Sequence, residues 1–92
     1  MSKDTNQDIE ITNEKGLHAR ASAKFVEVVE AHDADAIVAK DGLETEGDSI
    51  MGLLMLAASK GTSIHVETSG VEAVKLMLAL NELVATKFGE EA

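Results

Sequence analysis

The chain has 92 residues, enough for one domain and too few for two packed cores. Eight Lys and Arg against seventeen Asp and Glu leave a formal charge of −9. That balance argues against nucleic acid as a partner, because a phosphate backbone is bound by Lys and Arg. Phe25 and Phe88 are the only aromatics, so the stacking surfaces that bind single strands are missing. Without Cys there is no disulfide and no thiolate metal site, in keeping with a reducing compartment. No apolar run approaches the ~20 residues of a membrane span. Met1 to Glu10 lacks the apolar stretch of a signal peptide. A small, acidic, soluble, cytoplasmic and monomeric domain is expected over residues 1–92, with its ordered core at about 8–88.

Met1 to Gln7 is polar and is expected to fray. Asp8-Ile9-Glu10-Ile11-Thr12 alternates and predicts a strand with Ile9 and Ile11 inward. Asn13-Glu14-Lys15-Gly16 is a turn. Ala21, Phe25, Val28, Val29 and His32 fall at helical spacing, with Lys24, Glu27 and Glu30 outside. This predicts a helix from near His18 to before Asp33. Ala36 to Ala39 predicts a strand, and Asp41-Gly42 a two-residue hairpin turn, since both residues accept positive φ. Leu43 to Glu46 is the return strand. Ser49 to Ser59 predicts a second helix ended by Gly61. Ser63 to Glu67 alternates, Ile64 and Val66 on one face, His65 and Glu67 on the other. Ser69-Gly70-Val71-Glu72 has capping-box spacing. A last helix carries Ala73, Met77, Leu80, Val84 and Phe88 in one stripe, and Glu90-Glu91-Ala92 is a tail. The order β-α-β-β-α-β-α predicts an α+β fold, one sheet covered on one face by three helices.

Three places carry candidate chemistry. The first is Gly16-Leu17-His18-Ala19-Arg20, where a strand gives way to a helix. The first N–H groups of a helix have no intrahelical partner and carry roughly half a positive charge. Their field disfavours imidazolium, so His18 is expected to be neutral and nucleophilic. A phosphoryl group taken up there could be held by those N–H groups and by Arg20. Spacing alone leaves open a plain surface turn with Arg20 solvated. The second is Ser49, which with Asp48 is a fit N-cap. A phosphate on Ser49 would be stabilised at the helix N-terminus, and a simple cap is the alternative. The third is Ile50 to Ala58, apolar almost all round, which predicts an exposed apolar patch holding two Met residues, or else a deeper burial.

His32 is expected to end the first helix, where a cation suits the dipole. His18, His32 and His65 lack metal-ligand spacing, so no metal and no cofactor are expected. No phosphate-binding Gly-x-x-x-x-Gly-Lys-Ser/Thr loop is present. Any phosphate must come from another protein.

Asn13-Glu14-Lys15-Gly16-Leu17-His18-Ala19-Arg20, Ser49-Ile50-Met51-Gly52 and Ala58-Ser59-Lys60-Gly61 together resemble HPr, the phosphocarrier family of the bacterial phosphotransferase system. The resemblance runs from about Asp8 to Phe88 and implies an HPr-like open-faced β-sandwich with a four-stranded antiparallel sheet. It implies that His18 accepts phosphate on Nδ1 from enzyme I and passes it to an EIIA-type acceptor. Arg20 and the backbone N–H groups of Ala19 and Arg20 would hold the phosphoryl group. Ser49 would be a regulatory target of HPr kinase/phosphorylase. Ile50, Met51 and Leu54 would form the docking patch, with Lys24 adding positive field beside it. Two departures bear on the partner rather than the chemistry. Ala21 stands where most HPr proteins have Pro, and Glu27 and Glu30 stand where sugar-transport HPr often has Lys. The Ala21-Ser22-Ala23-Lys24-Phe25 run after Arg20 looks more like alphaproteobacterial HPr and the nitrogen-branch protein NPr, and with the acid on this helix implies a nitrogen-type enzyme I. An acyl carrier with its arm on Ser49 is the alternative from another class, since Asp48-Ser49-Ile50 resembles that motif; it requires an all-helical chain. A regulatory binding protein without phosphoryl flux is the other.

Overall fold

The computed structural model describes residues 4–91. Strands β1 (Thr5–Glu10), β2 (Asp35–Lys40), β3 (Leu43–Glu46) and β4 (Ser63–Ser69) form one sheet in the order β1-β4-β2-β3, with every pair antiparallel. Helices α1 (Ala19–Glu30), α2 (Ile50–Met55) and α3 (Ala73–Ala85) complete the expected order, and a 3-10 turn at Lys87–Gly89 follows. The architecture is the α+β fold expected from the alternating and helical periods.

Period-two alternation decides which sheet face is covered. Ile9, Ala36, Val38, Ile64, Val66 and Thr68 are buried, with Ile11 just beyond the end of β1. The helices supply Ala21, Phe25, Val26, Val29, Leu53, Leu76, Leu80 and Val84 to the same cluster. The opposite face carries Asp8, Glu10, Asp35, Glu44, Glu46 and Glu67, in register with the buried residues between them. His65 lies among these acids, its Nδ1 2.7 Å from Asp8 Oδ1, which places it on the solvent side as expected. Much of the net negative charge is therefore stored on the uncovered face.

Local chemistry sets most boundaries. Asp41 and Gly42 both have positive φ, 51° and 83°, as a tight two-residue hairpin turn requires. Ala73, Met77, Leu80, Val84 and Phe88 are all buried, although Phe88 reaches the core from the 3-10 turn and not from α3.

Four expectations are corrected. The first strand spans Thr5–Glu10, not Asp8–Thr12, because Thr5, Asn6 and Gln7 pair with Thr68, Glu67 and Val66. Of the stretch expected to fray, Met1–Lys3 lies outside the described residues. The second helix stops at Met55. Its last turn tightens, with Leu56 N–H on Leu53 O and Ala57 N–H on Leu54 O, and Ala57 takes a left-handed φ of 52°. That reversal buries Leu56 and Ala58 together. The capping box at Ser69–Glu72 does not form, because Ser69 ends β4 opposite Asp35 and Glu72 accepts the Asp33 N–H at 2.7 Å. The Glu90–Ala92 tail is not free at its start: Glu90 is anchored by side-chain bonds, while Ala92 lies outside the described residues.

α2 sits against β3 through Gly52. A Cβ there would fall 1.8 Å from Thr45 Oγ1 and 2.7 Å from Thr45 Cβ. Gly52→Ala should therefore destabilise the fold by about 1–3 kcal/mol, the usual cost of overpacking, despite the better helix propensity of Ala. A urea midpoint equal to or above wild type would contradict this packing.

Candidate functional site

The site is built where the first strand, α1, the segment after α2 and the C-terminal turn meet. Asn13 to Gly16 closes a turn through Gly16 N–H on Asn13 O at 3.1 Å. Gly16 has φ +65°, and a Cβ would fall 2.5 Å from Ala58 O. The next residue, Leu17, donates its N–H to Ala58 O at 2.8 Å and buries its side chain. These contacts hold His18 where the chain turns into α1.

His18 is the N-cap of α1, with extended backbone and no side-chain capping bond. The first helical hydrogen bond runs from Ser22 N–H to His18 O at 2.8 Å. The N–H groups of Ala19, Arg20 and Ala21 precede it and have no intrahelical acceptor. Ala19 and Arg20 are exposed. The arrangement is a helix end with free N–H groups and an imidazole at its mouth, a geometry that can receive an anion.

The imidazole is held from its far side. His18 Nε2 lies 2.5 Å from Glu90 Oε2. The second oxygen, Glu90 Oε1, accepts from Asn13 Nδ2 at 3.0 Å. Asn13 is fully buried, and its Nδ2 also donates to Gly16 O at 2.8 Å. Asn13 Oδ1 has no partner among the described residues; the reversed amide would satisfy neither the carboxylate nor the carbonyl. The His18 hydrogen bond, then the Asn13 hydrogen bond, hold the Glu90 carboxyl below the usual carboxylate range. The hydrogen bonds of the described residues leave His18 Nδ1 without a protein partner.

The C-terminal turn delivers Glu90 through three successive residues of positive φ, Lys87 (56°), Phe88 (56°) and Gly89 (79°). Phe88 is buried, and its carbonyl accepts the Lys24 ammonium at 2.6 Å. Lys24 is thus half-buried and tied to the turn. Arg20 makes no ion pair among the described residues.

Ser49 is the N-cap of α2, and its Oγ accepts the Gly52 N–H at 3.0 Å. No hydrogen bond or ion pair joins Ser49 to His18 among the described residues. Ile50 and Met51 are exposed, Met51 at 69%, and Leu54 is half-buried. Met55 is exposed to the same 69%, which extends the patch beyond Ile50, Met51 and Leu54. His32 Nδ1 lies 2.7 Å from Val28 O, at the end of α1. Among the described residues no group of three His, Cys, Asp or Glu is placed to hold a metal ion. No helix of the described residues is long and apolar enough to cross a membrane.

Sequence reasoning missed Glu90 and Asn13. Asn13 opens the block that runs to Arg20, but its tie to Glu90 has no local signature, since Glu90 is 72 positions from His18. It also missed the exposed Val74 and Leu78 on α3, one turn apart, with Val71 exposed in the turn before the helix.

The Glu90 carboxyl titrates lower in the folded protein than in the unfolded chain. Its stabilisation is therefore complete above the unfolded carboxylate range, and is lost as pH falls through the folded value. Urea unfolding of wild type and Glu90→Gln from about pH 7 to about pH 3 should show the gap between them narrow toward acid. A gap that does not change with pH would mean that the carboxylate is not engaged in the folded state.

A family model described as the PTS HPr component phosphorylation site matches residues 5–86. The chain is 48% identical over 84 residues to a phosphocarrier protein HPr of Neisseria meningitidis, covering 91% of this chain and 94% of that protein. It is 37% identical over 86 residues to the phosphocarrier protein NPr of Escherichia coli, covering 92% and 96%. The crystal structure of HPr-C-His from Thermoanaerobacter tengcongensis superposes with a TM-score of 0.90 at 35% identity, covering 96% and 99% of the two chains.

Proposed function

This chain belongs to the HPr phosphocarrier family of the phosphotransferase system, and from that premise we propose that His18 is its phosphoryl acceptor, loaded on Nδ1 by enzyme I and discharged to an EIIA-type protein. It is a carrier and not an enzyme. The observation that carries the assignment is the position of His18 at the N-cap of α1, beside the N–H groups of Ala19 and Arg20. A phosphoryl dianion on Nδ1 would meet those donors and the exposed Arg20 guanidinium. The hold is loose by design of the chemistry, since each surface charge–dipole contact contributes only ~0.3–1 kcal/mol. A carrier must release what it binds.

The α2 region acts as the docking surface. Ile50, Met51 and Leu54, extended by Met55, offer an apolar area that a partner can cover. Lys24 lies on α1 near the same end of the molecule as His18 and braces the turn that carries Glu90. Ser49 is the regulatory site, phosphorylated by HPr kinase/phosphorylase. Its Oγ already caps α2, so a phosphate there would sit on a favourable helix end and place a dianion beside the apolar patch.

The partner is a nitrogen-type enzyme I. Exposed Glu27 and Glu30 on α1, and the similarity to an NPr, support this choice; acid beside the patch repels a partner surface shaped for a basic one. The setting is the cytoplasm and the working unit is the monomer, in keeping with a core that closes within one chain. The four-stranded sheet speaks against the all-helical acyl carrier alternative.

Incubation with phosphoenolpyruvate and either a sugar-type or a nitrogen-type enzyme I should give an acid-labile, base-stable phosphate, formed faster with the nitrogen-type enzyme. His18→Ala should take no label. Arg20→Ala should fold normally and accept phosphate about 10- to 100-fold more slowly, the kinetic equivalent of one charge-assisted hydrogen bond. Label that survives His18→Ala would refute the assignment, and faster loading by the sugar-type enzyme would reverse the choice of branch.

Met51→Asp should weaken binding of enzyme I, and Ser49→Asp should slow loading of His18, while both variants keep the wild-type fold by circular dichroism. Unchanged affinity for the Met51 variant would place the docking surface elsewhere.

A further inference from the structure

Among the described residues Glu90 is the charged group bonded to the His18 ring, yet it lies outside every sequence motif of the site. We propose that Glu90 is a positioning residue that fixes the proton of neutral His18 on Nε2, so that the lone pair stands on Nδ1, and that its carboxylate pairs with the positive charge the ring acquires while it carries phosphate. The proposal rests on the reading that His18 is the phosphoryl acceptor, and deepens it.

The geometry supports this in three steps. First, a carboxylate at neutral pH can only accept, so the hydrogen between Nε2 and Oε2 belongs to the ring. A neutral imidazole has one N–H, and with that hydrogen on Nε2 the lone pair is on Nδ1. Second, the carboxylate is itself fixed. Oε1 accepts from Asn13 Nδ2, and Asn13 is fully buried with its other bond on Gly16 O. Third, the backbone behind Glu90 is fixed as well. Gly89 N–H bonds to Thr86 O at 3.0 Å, Glu90 N–H to Lys87 O at 2.9 Å, Phe88 is buried, and the Phe88 carbonyl holds Lys24. A flexible tail would not keep one oxygen on each of two partners.

The transfer then balances without a proton leaving the site. The Nδ1 lone pair forms the N–P bond as the bond from phosphorus to the phosphorylated donor protein breaks, and that electron pair stays with the donor. The ring, still protonated on Nε2, becomes a phosphoimidazolium whose positive charge faces the Glu90 carboxylate. In the forward transfer the N–P pair returns to Nδ1, the phosphoryl group passes to the acceptor's nucleophile, and the ring is neutral again with its hydrogen on Nε2. The opposite tautomer would have its hydrogen on Nδ1 and would have to lose it before or during attack. Carboxylate-bound His residues in metal sites use the same device to fix a tautomer.

The test reads the ring directly. Nitrogen NMR of ring-labelled wild type, at a pH where His18 is neutral, should show Nε2 protonated and Nδ1 as the lone-pair nitrogen. Glu90→Ala should give a mixture of both tautomers and accept phosphate from enzyme I and phosphoenolpyruvate about 10- to 100-fold more slowly, the range typical of lost partners behind a functional His. Glu90→Gln offers one acceptor oxygen where the carboxylate offers two, and both neighbours are donors. It should loosen the hold on Nε2, leave a mixture of tautomers and slow transfer, as Glu90→Ala does. Wild-type protein with its hydrogen on Nδ1, an unchanged tautomer in Glu90→Ala, or full transfer rate in that variant would each overturn the proposal. If wild-type His18 accepts no phosphate, the carrier reading fails instead, and the tautomer measurement still stands on its own.

Discussion

The hydrogen bond from Leu17 N–H to Ala58 O fixes where the functional end of the molecule is assembled. It joins the loop before α1 to the segment after α2, two parts of the chain about forty positions apart. The bond requires a close backbone approach, and the absence of a side chain at Gly16 allows it. Once made, it determines the direction in which α1 begins. The free N–H groups of Ala19 and Arg20 then open toward solvent beside His18, and the apolar surface of α2 lies on an adjoining element. The left-handed turn at Ala57, which shortened α2, belongs to the same constraint. Without that reversal Ala58 would continue the helix, and its carbonyl would be directed along the helix axis.

Charge is distributed in keeping with this assembly. The sheet's uncovered face holds a large share of the acidic residues, and the helix end at His18 holds free N–H groups and Arg20. A protein of net charge −9 can therefore present a locally favourable place for an anion. Glu90, the acid that bonds the imidazole among the described residues, approaches from Nε2 and is held by Asn13 and His18. It approaches the nitrogen opposite to the one assigned to phosphate, and adds its field to the ring rather than to the phosphoryl oxygens.

Much of the fold was legible because it is written in short periods. Ile64 and Val66 alternate, Ala21, Phe25 and Val29 recur at helical spacing, and Asp41-Gly42 suits only a tight turn; each became the element expected. The helix starts at His18 and Ser49 were legible for a related reason, since the chemistry of a helix start is local. Boundaries that depend on pairing were not. Thr5 to Gln7 reads as polar chain until β4 is placed beside it. Ser69 and Glu72 match a capping box until Asp35 takes one and Asp33 the other. Glu90 was illegible in the strongest sense. A carboxylate near the end of an acidic chain looks like solvated charge, and only the three-dimensional path through Lys87, Phe88 and Gly89 brings it to the ring. Such a path has no period, and the residue that makes it work, Phe88, was read as the last member of a helical stripe.

That path makes the chemistry of the site sensitive to processing in a way that the core is not. Every residue of the hydrophobic cluster lies at or before Phe88. Removal of the residues after Gly89 would leave the packed interior intact and strip the imidazole of its carboxylate. By the same logic, any extension fused after Glu90 must leave along a route that does not pull the turn away from Lys24. The contacts of the imidazole and the packing of the core are thus separable at the peptide bonds that follow Gly89.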